Sequence, residues 1–312
     1  MYRCQISVDI GGQFRYFLRF TISEIVYTDT RVAYYRNLLI SEVYLVSREL
    51  ARELINAGVH YGHGVSRWNP RMAPYIFGKR GTIHIINVKE TIKGLLIAKK
   101  LLADVVASGK DVVFVGTKRQ AQKAVEAAAA KSGMHFVSTR WLGGTLTNFR
   151  TIRSRLQRLE QLEGMEQSGT LDAESKKMAS MLKRELKKVK TNLDGIRRMG
   201  RLPGVIVVVD AKKEHLALRE AKKLGVPTVG IIDTDSDPDT VDVAIPANDD
   251  SIRAIEILIT ELGNAAGEAR AANVVVGQKE DASKLARPRS RRPTLARAEG
   301  AEEEAQAPAA QQ

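Results

Sequence analysis

Two histidines, a tryptophan and an arginine lie among three glycines in the segment AGVHYGHGVSRWNP, residues 57–70. His60 and His63 are three residues apart, a spacing that suits two ligands of one metal ion. The segment contains no cysteine and no third histidine, so it supplies too few ligands to complete such a site alone. We therefore predict that these histidines brace the loop through hydrogen bonds, and we leave a metal role open for both.

A second segment with potential metal chemistry is DTDSDPDTVD, residues 233–242, whose aspartates alternate as in the first half of an EF-hand loop. Pro238 stands where the calcium loop needs glycine, and Ala244 stands where it needs a bidentate glutamate. We therefore predict a solvated turn in which aspartate side chains accept hydrogen bonds from nearby backbone.

The sequence gives little support for catalysis or nucleotide binding. VFVGTKRQAQK, residues 113–123, contains a glycine and a lysine, but GxxxxGK[ST] and GxGxxG are both absent. We predict a strand-to-helix turn there, in which Thr117 caps the helix and leaves Lys118 and Arg119 free to meet phosphate. Since GxSxG and HExxH are also absent, we predict neither an enzyme nor a cofactor, with an α/β nucleotide-binding enzyme as the alternative.

The charge balance points to a polyanionic partner. The chain has 49 Lys and Arg against 36 Asp and Glu, a net charge of +13. Each phosphate that a cation neutralises releases counterions and thereby increases affinity. Residues 150–201 hold fourteen basic and seven acidic residues, and residues 284–297 hold six basic and no acidic residue. We interpret both segments as nucleic-acid-binding rather than as ordinary solvated faces.

Two loops, residues 66–80 and 139–150, combine an Arg-Trp pair with glycine. Arginine and lysine bind phosphate, glycine allows close approach of the backbone, and aromatic rings either stack on bases or anchor the core. The candidate RNA-binding residues are Arg67, Trp68, Asn69, Arg71, Lys118, Arg119, Arg140, Asn148, Arg150 and Arg153.

Strands and helices alternate along most of the chain. Hydrophobic periodicity predicts strands at 82–88, 111–116, 135–138, 204–210, 226–233 and 241–246, with helices at 48–57, 90–108, 117–133, 213–225 and 251–266. Such alternation predicts an α/β fold with a parallel sheet covered by helices. Residues 150–201 interrupt it with two helical stretches whose leucines repeat in steps of four and three, which predicts an antiparallel coiled-coil hairpin.

The predicted domain organisation follows from these patterns. Residues 46–149 and 202–266 form the α/β domain, residues 150–201 form a basic coiled-coil hairpin, and residues 267–312 form a disordered tail. Residues 1–45 are an atypical extension that we suspect comes from a misplaced start. No apolar run reaches the roughly 18 residues of a membrane span, and the single cysteine, Cys4, fits a reducing, cytoplasmic setting.

Five separated blocks of the sequence resemble one known family, that of the bacterial ribosomal protein S2, or uS2. The blocks are LINAGVHYGHGVSRWNPRMAPYIFGKRGTIHIINVKET, VVFVGTKRQAQ, RWLGGTLTNF, LPGVIVVVDAKKEHLALREAKKLGVPTVGIIDTDSDPD and IPANDDSIRAI. The resemblance covers about Val46 to Ala266 in the family's order, so residues 1–45 have no counterpart in it.

The resemblance implies a flavodoxin-like sheet with helices on both faces and a protruding coiled-coil hairpin. It also implies a structural, non-enzymatic constituent of the small ribosomal subunit that binds small-subunit rRNA near the junction of head and body. Implied protein partners are other small-subunit ribosomal proteins, including the OB-fold protein that gathers messenger RNA. A protein-binding adaptor remains a third interpretation of the residues themselves.

Overall fold

The computed structural model describes residues 48–170 and 175–285. All packing discussed below lies in the compact unit that ends at Asn273. The α-helices of the described residues are α1 Arg48–Asn56, α2 Val88–Ala107, α3 Gln122–Ser132, α4 Phe149–Gln167, α5 Lys176–Leu193, α6 His215–Leu224 and α7 Ile252–Leu285. The strands are β1 Tyr61–Gly64, β2 Ile76–Arg80, β3 Ile83–Ile86, β4 Val112–Val115, β5 His135–Val137, β6 Val205–Val209, β7 Thr228–Ile232 and β8 Val243–Pro246.

Five strands form a parallel sheet in the order β5-β4-β6-β7-β8. Every residue of β4, β6 and β7 is buried, as expected of strands that are covered on both faces. Counted along the sheet, the order is that of flavodoxin-like folds, 2-1-3-4-5. The predicted fold class is therefore confirmed.

The two faces of this sheet pack against different helices. Phe114 and Val207 point into a cluster with Leu95, Leu102 and Leu258, so helices α2 and α7 cover that face. Their neighbours Val113 and Val208 point into the opposite cluster, which contains Trp141, Ile152, Leu193 and Leu218. The loops that follow the strands are therefore held on a core that is packed on both sides.

The predicted strand at 82–88 exists as β3, but its expected place in the parallel alternation is wrong. It lies at the centre of a separate antiparallel sheet in the order β1-β3-β2. Gly81, with φ of +62°, joins β2 to β3 in a tight hairpin. A connection this short permits only antiparallel pairing, because parallel strands need a crossover.

Two predicted boundaries are also wrong. Helix α3 begins at Gln122 after a turn, not at Thr117. Helix α7 continues to Leu285, so residues 267–285 are helical where we predicted a disordered tail. The predictions for residues 1–45 and 286–312 lie outside the described residues.

Helices α4 and α5 pack on each other through the leucines that the heptad pattern selected. Leu159 and Leu162 of α4 are buried in one cluster with Leu182 and Leu186 of α5. Closer to the sheet, Arg153 donates to the carbonyl of Gly200, just beyond the end of α5. The start of α4 therefore lies near the end of α5, as in an antiparallel pair. Supercoiling of the two helices stays a prediction.

Candidate nucleic-acid interface

Most of the predicted RNA-binding residues lie at the loops that follow the parallel strands, which we call the carboxyl edge of the sheet, whereas Arg150 and Arg153 lie in α4. Arg119 follows β4, Arg140 and Asn148 follow β5, and the loop of Arg67 and Arg71 packs against the segment after β7. Arg67, Arg119, Arg140 and Asn148 are exposed. In open α/β sheets this edge is where ligands bind.

Close backbone contacts fix the loop that carries Arg67 to Arg71. The N–H of Asn69 donates to the carbonyl of Thr234 at 2.8 Å, and the N–H of His63 donates to the Thr234 hydroxyl at 2.9 Å. A Cβ atom at Gly62 would lie 2.6 Å from the Thr234 side chain, so only glycine permits this approach. The loop is thus a rigid part of the carboxyl edge.

Trp68 and Asn69 have structural contacts within this loop. The Trp68 ring lies 5.2 Å from the His84 ring, measured between centroids, and its side chain remains about one-third exposed. The Asn69 side chain accepts a hydrogen bond from the N–H of Arg71 and so caps the short 3₁₀ turn Pro70–Tyr75. Trp68 therefore still offers part of a ring face to a partner, whereas the Asn69 carbonyl oxygen already has a donor.

The aspartate-rich segment is held by basic side chains. Arg71 contacts Asp237 at 2.6 Å and Asp239 at 3.2 Å, and Lys212 contacts Asp235 at 3.0 Å. Asp237 also accepts a hydrogen bond from the N–H of Asp239, which is the predicted aspartate turn. Arg71 keeps 59% of its side chain exposed, so it could contact a phosphate only while sharing its charge with these carboxylates.

Lys118 is not free, and the prediction that it would be is wrong. Only 14% of its side chain is exposed, and its ammonium lies 2.8 Å from Asp249, 2.6 Å from Asp250 and 3.8 Å from Asp210. Burial lowers the pKa of Lys118, but the hydrogen bonds that its ammonium donates to Asp249 and Asp250 outweigh burial and raise the pKa overall. RNA binding by Lys118 stays a prediction, and these ion pairs do not favour it.

The ion pairs of Lys118 with Asp249 and Asp250 are accompanied by shifts in the pKa of both carboxyl groups. Burial raises the pKa of Asp249 to about 7, against the opposing effect of the Lys118 hydrogen bond. The same ammonium lowers the pKa of the more exposed Asp250. Burial is therefore the dominant influence on the pKa of Asp249, and the Lys118 ammonium is the dominant influence on the pKa of Asp250.

Thr117 does not cap α3. Its hydroxyl and its N–H instead donate to Glu214, and Lys213 donates to the Thr117 carbonyl at 3.1 Å. Burial raises the pKa of Glu214. These contacts link the loops that follow β4 and β6, the pair of strands at which the strand order reverses and where open α/β sheets bind ligands.

The structure separates the two histidines of the opening segment. His63 Nδ1 lies 2.8 Å from Asp233, and its Nε2 lies 3.4 Å from Asp250. The hydrogen bond to Asp233 raises the pKa of His63 to about 9. His60 instead stacks against Tyr61 with 4.1 Å between ring centroids, and burial lowers its pKa. We predicted that both histidine side chains brace the loop, but among the described residues only the His63 side chain has a carboxylate partner.

His63, Asp233 and Asp249 each bring one potential metal-ligand atom to within 4.8 Å of the others. One imidazole nitrogen and two carboxylate oxygens form a donor set that suits a divalent cation. His60 contributes nothing to this group. The Lys118 ammonium and an imidazolium at His63 neutralise the same carboxylates, so the cluster is balanced by the chain's own cations.

His63 predicts a pH dependence of stability. Because its folded pKa is raised from 6.5 to about 9, its contribution is present in full below pH 6.5 and is lost as the pH rises through about 9. We expect the melting temperature of the wild-type chain to fall more steeply over this window than that of His63→Gln, by several degrees. Thermal denaturation at stepped pH measures this, with His60→Gln as the control that retains the wild-type slope. Parallel curves for wild type and His63→Gln would contradict it.

A buried carboxylate holds the second arginine-tryptophan loop. Glu220 of α6 accepts hydrogen bonds from Trp141 Nε1 at 3.2 Å and from the N–H groups of Gly144, Leu146 and Thr147 at 2.7, 3.0 and 3.2 Å. Burial by itself would raise the pKa of Glu220, but these donors lower it overall. The loop that presents Arg140 and leads into α4 is thereby fixed, and Trp141 is a core anchor.

Comparison with known proteins identifies the chain's relatives. Residues 54–269 match the family model described as Ribosomal protein S2. The chain belongs to the ribosomal protein S2 family. A curated relative, the small ribosomal subunit protein uS2 of Rhodopirellula baltica, is 56% identical over 220 residues, which are 70% of this chain and 85% of that protein. The family resemblance found in the sequence is therefore confirmed, and the chain is a ribosomal protein.

Sequence reasoning missed the acidic partners of these loops. Glu214, Glu220 and Asp249 lie far along the chain from the residues they hold, so local spacing could not pair them. One signal was present: Glu220 lies on the helix face of Ala217 and Ala221, both buried, and a carboxylate on an apolar face needs buried donors.

No helix in the described part of the chain is long and apolar enough to cross a membrane.

Proposed function

We propose that this S2-family protein, a constituent of the small ribosomal subunit, binds small-subunit rRNA through exposed cations at the carboxyl edge of its sheet and on its hairpin. The observation that carries the proposal is the placement of Arg67, Arg119 and Arg140, all exposed, on one rigid edge. None of the three makes an ion pair within the described residues, so their charge is available to phosphate.

The proposed set is smaller than the sequence candidates. Arg67, Arg119, Arg140, Arg150 and Arg153 are retained as phosphate contacts, while Trp68 offers a partly exposed ring and Asn148 an exposed amide. Arg71 and Lys118 are assigned chiefly to holding the edge together, because carboxylates already surround them. Asn69 is assigned to shaping the turn.

The same proposal covers partners and location. The protein would act in the cytoplasmic ribosome, in contact with neighbouring small-subunit proteins, including the OB-fold protein that gathers messenger RNA. It would perform no chemistry of its own, and at the ends of β4 and β6 Thr117, Lys213 and Glu214 already bond to one another. These bonds occupy polar groups that a nucleotide at this switch point would need, which disfavours the nucleotide-binding alternative.

Sucrose-gradient sedimentation with small subunits tests the proposal. We expect the full chain to sediment with them, and we expect binding to weaken by orders of magnitude as salt rises from about 50 mM to about 200 mM. Retention that is insensitive to salt would indicate a protein-binding adaptor instead. Binding of a nucleotide at millimolar concentration without sedimentation with subunits would overturn the proposal in favour of an enzyme.

A further inference from the structure

The charge of the hairpin is concentrated at one end. We define the hairpin root as residues 149–158 and 187–201, next to the sheet domain, and the outer hairpin as residues 159–186. The root holds ten basic residues and one acidic residue, whereas the outer hairpin holds four basic and six acidic residues. The net positive charge of the hairpin is therefore confined to its root, and the outer hairpin has a small acidic excess.

Four root cations are not engaged in an ion pair with any other described residue. Arg150, Arg155, Lys187 and Lys188 are exposed, and their side chains form no ion pair within the described residues. Lys190 and Arg197, by contrast, contact Glu163 at 3.6 and 2.6 Å. Arg150 and Arg155 on α4 and Lys187 and Lys188 on α5 thus leave uncompensated positive charge on both helices of the root.

Helix electrostatics does not account for the arginines of α4. The first turn of a helix carries a partial positive charge that favours acidic residues and disfavours cations. The first turn of α4 contains no acidic residue and includes Arg150, and Arg153 and Arg155 follow within the next turn. These arginines oppose the helix dipole, and a bound anion would remove that cost.

We propose that the hairpin root is the part of the hairpin that binds the rRNA phosphate backbone, and that the outer hairpin makes no phosphate contact. The inference rests on the proposed RNA-binding function and narrows it to one surface. The root continues the carboxyl edge, because the Thr139 hydroxyl, next to Arg140, donates to the carbonyl of Thr191 at 3.0 Å. RNA bound along the edge would therefore pass directly onto the root.

Two matched variants of the full chain test this surface. The root variant carries Arg150→Gln, Arg155→Gln, Lys187→Gln and Lys188→Gln. The outer variant carries Lys176→Gln, Lys177→Gln, Lys183→Gln and Arg184→Gln. Each removes four positive charges from helix surfaces, and glutamine keeps a helix propensity close to that of lysine and arginine. Circular dichroism establishes that both variants fold.

Binding to small subunits from which the resident copy has been stripped is then measured across a salt series. For the root variant we expect the slope of log K against log salt to become less negative by about 3, since each phosphate that is no longer neutralised changes it by about 0.7 to 0.9. We also expect its affinity at low salt to fall about 100-fold or more. For the outer variant we expect the wild-type slope. Equal losses of affinity in both variants, or a loss confined to the outer variant, would overturn the inference.

The outcome separates this inference from the proposed function. If the wild-type chain fails to bind subunits, or binds without salt dependence, the RNA-binding function itself fails. If the wild type binds with strong salt dependence while the root variant keeps its slope, only the assignment to the root fails. A root variant that loses affinity without a change of slope would point to a protein neighbour there and would also overturn the inference.

Discussion

Replacing Glu220 by alanine is expected to lower the free energy of unfolding by about 3 to 5 kcal/mol, because four N–H donors would lose the carboxylate that accepts from them. Trp141 and Leu146 are buried, and the hydrogen bonds from Gly144 and Thr147 are partly buried, so water cannot readily replace the missing acceptor at all four donors. Urea denaturation of the purified chain measures the change.

The matched control is Glu126→Ala on the exposed face of α3, which should change the free energy of unfolding by less than about 0.5 kcal/mol. Glu220→Gln keeps the shape of the side chain but turns an amide donor toward other donors, so its loss of stability should fall between those of the two alanine variants. Equal midpoints for Glu220→Ala and Glu126→Ala would rule out the bracing role.

The lowered pKa of Glu220 adds a pH signature. A carboxylate whose folded pKa lies below its unfolded value contributes stability above the unfolded pKa and loses that contribution as pH falls through the folded value. The wild type and Glu220→Ala should therefore converge in stability at acid pH. Their difference should be largest near neutrality.

The hydrophobic pattern of neighbouring residues was sufficient to predict the main sheet and its helices, because each strand or helix is specified by residues close together in the sequence. The valine runs of β4 and β6 and the alternating helices predicted a parallel sheet, and the leucine steps of α4 and α5 predicted a helix pair. The small antiparallel sheet escaped this reasoning. Its strands are four or five residues long, contain glycine at positions 62, 64 and 78, and lack a clear period of two.

The candidate site was only half predictable, because sequence shows which cations exist but not which carboxylates meet them. Arg119 and Arg140 are exposed as phosphate-binding residues must be, whereas Lys118, adjacent to Arg119, turns inward to three aspartates. These aspartates come from the ends of β6 and β8, up to 132 positions along the chain. Their meeting follows from the strand order, which places the ends of parallel strands along one edge.

Replacing Lys118 by methionine gives the second large expected effect. The variant would leave Asp249, which is 1% exposed, and Asp210 beside it without their shared counter-ion. Removing one partner of a buried ion pair costs about 3 to 5 kcal/mol, because the remaining charge is both desolvated and unpaired. We expect a loss of that size at pH 8. This pH lies above the wild-type pKa of Asp249, about 7, so the wild-type carboxylate is mostly ionised there and depends on the Lys118 ammonium.

The pH dependence identifies the cause. Without the ammonium, the Asp249 carboxyl should hold its proton to higher pH, so the deficit of Lys118→Met relative to wild type should shrink as pH falls below about 7. Adding Asp249→Asn to Lys118→Met removes the unpaired charge and should recover part of the stability at pH 8. Lys123→Met, on the exposed surface of α3, is the matched control and should be nearly neutral.

Variants of Lys118 also decide whether this lysine holds the strand ends together or binds phosphate. If Lys118 holds the strand ends together, Lys118→Met combined with Asp249→Asn should bind small subunits with the wild-type salt slope, since no phosphate contact has been removed. A slope less negative by about 0.7 to 0.9, together with unchanged stability of Lys118→Met, would instead make Lys118 a phosphate ligand. The ion pairs with Asp249 and Asp250 favour the first result, because an ammonium committed to two carboxylates has little charge left to offer RNA.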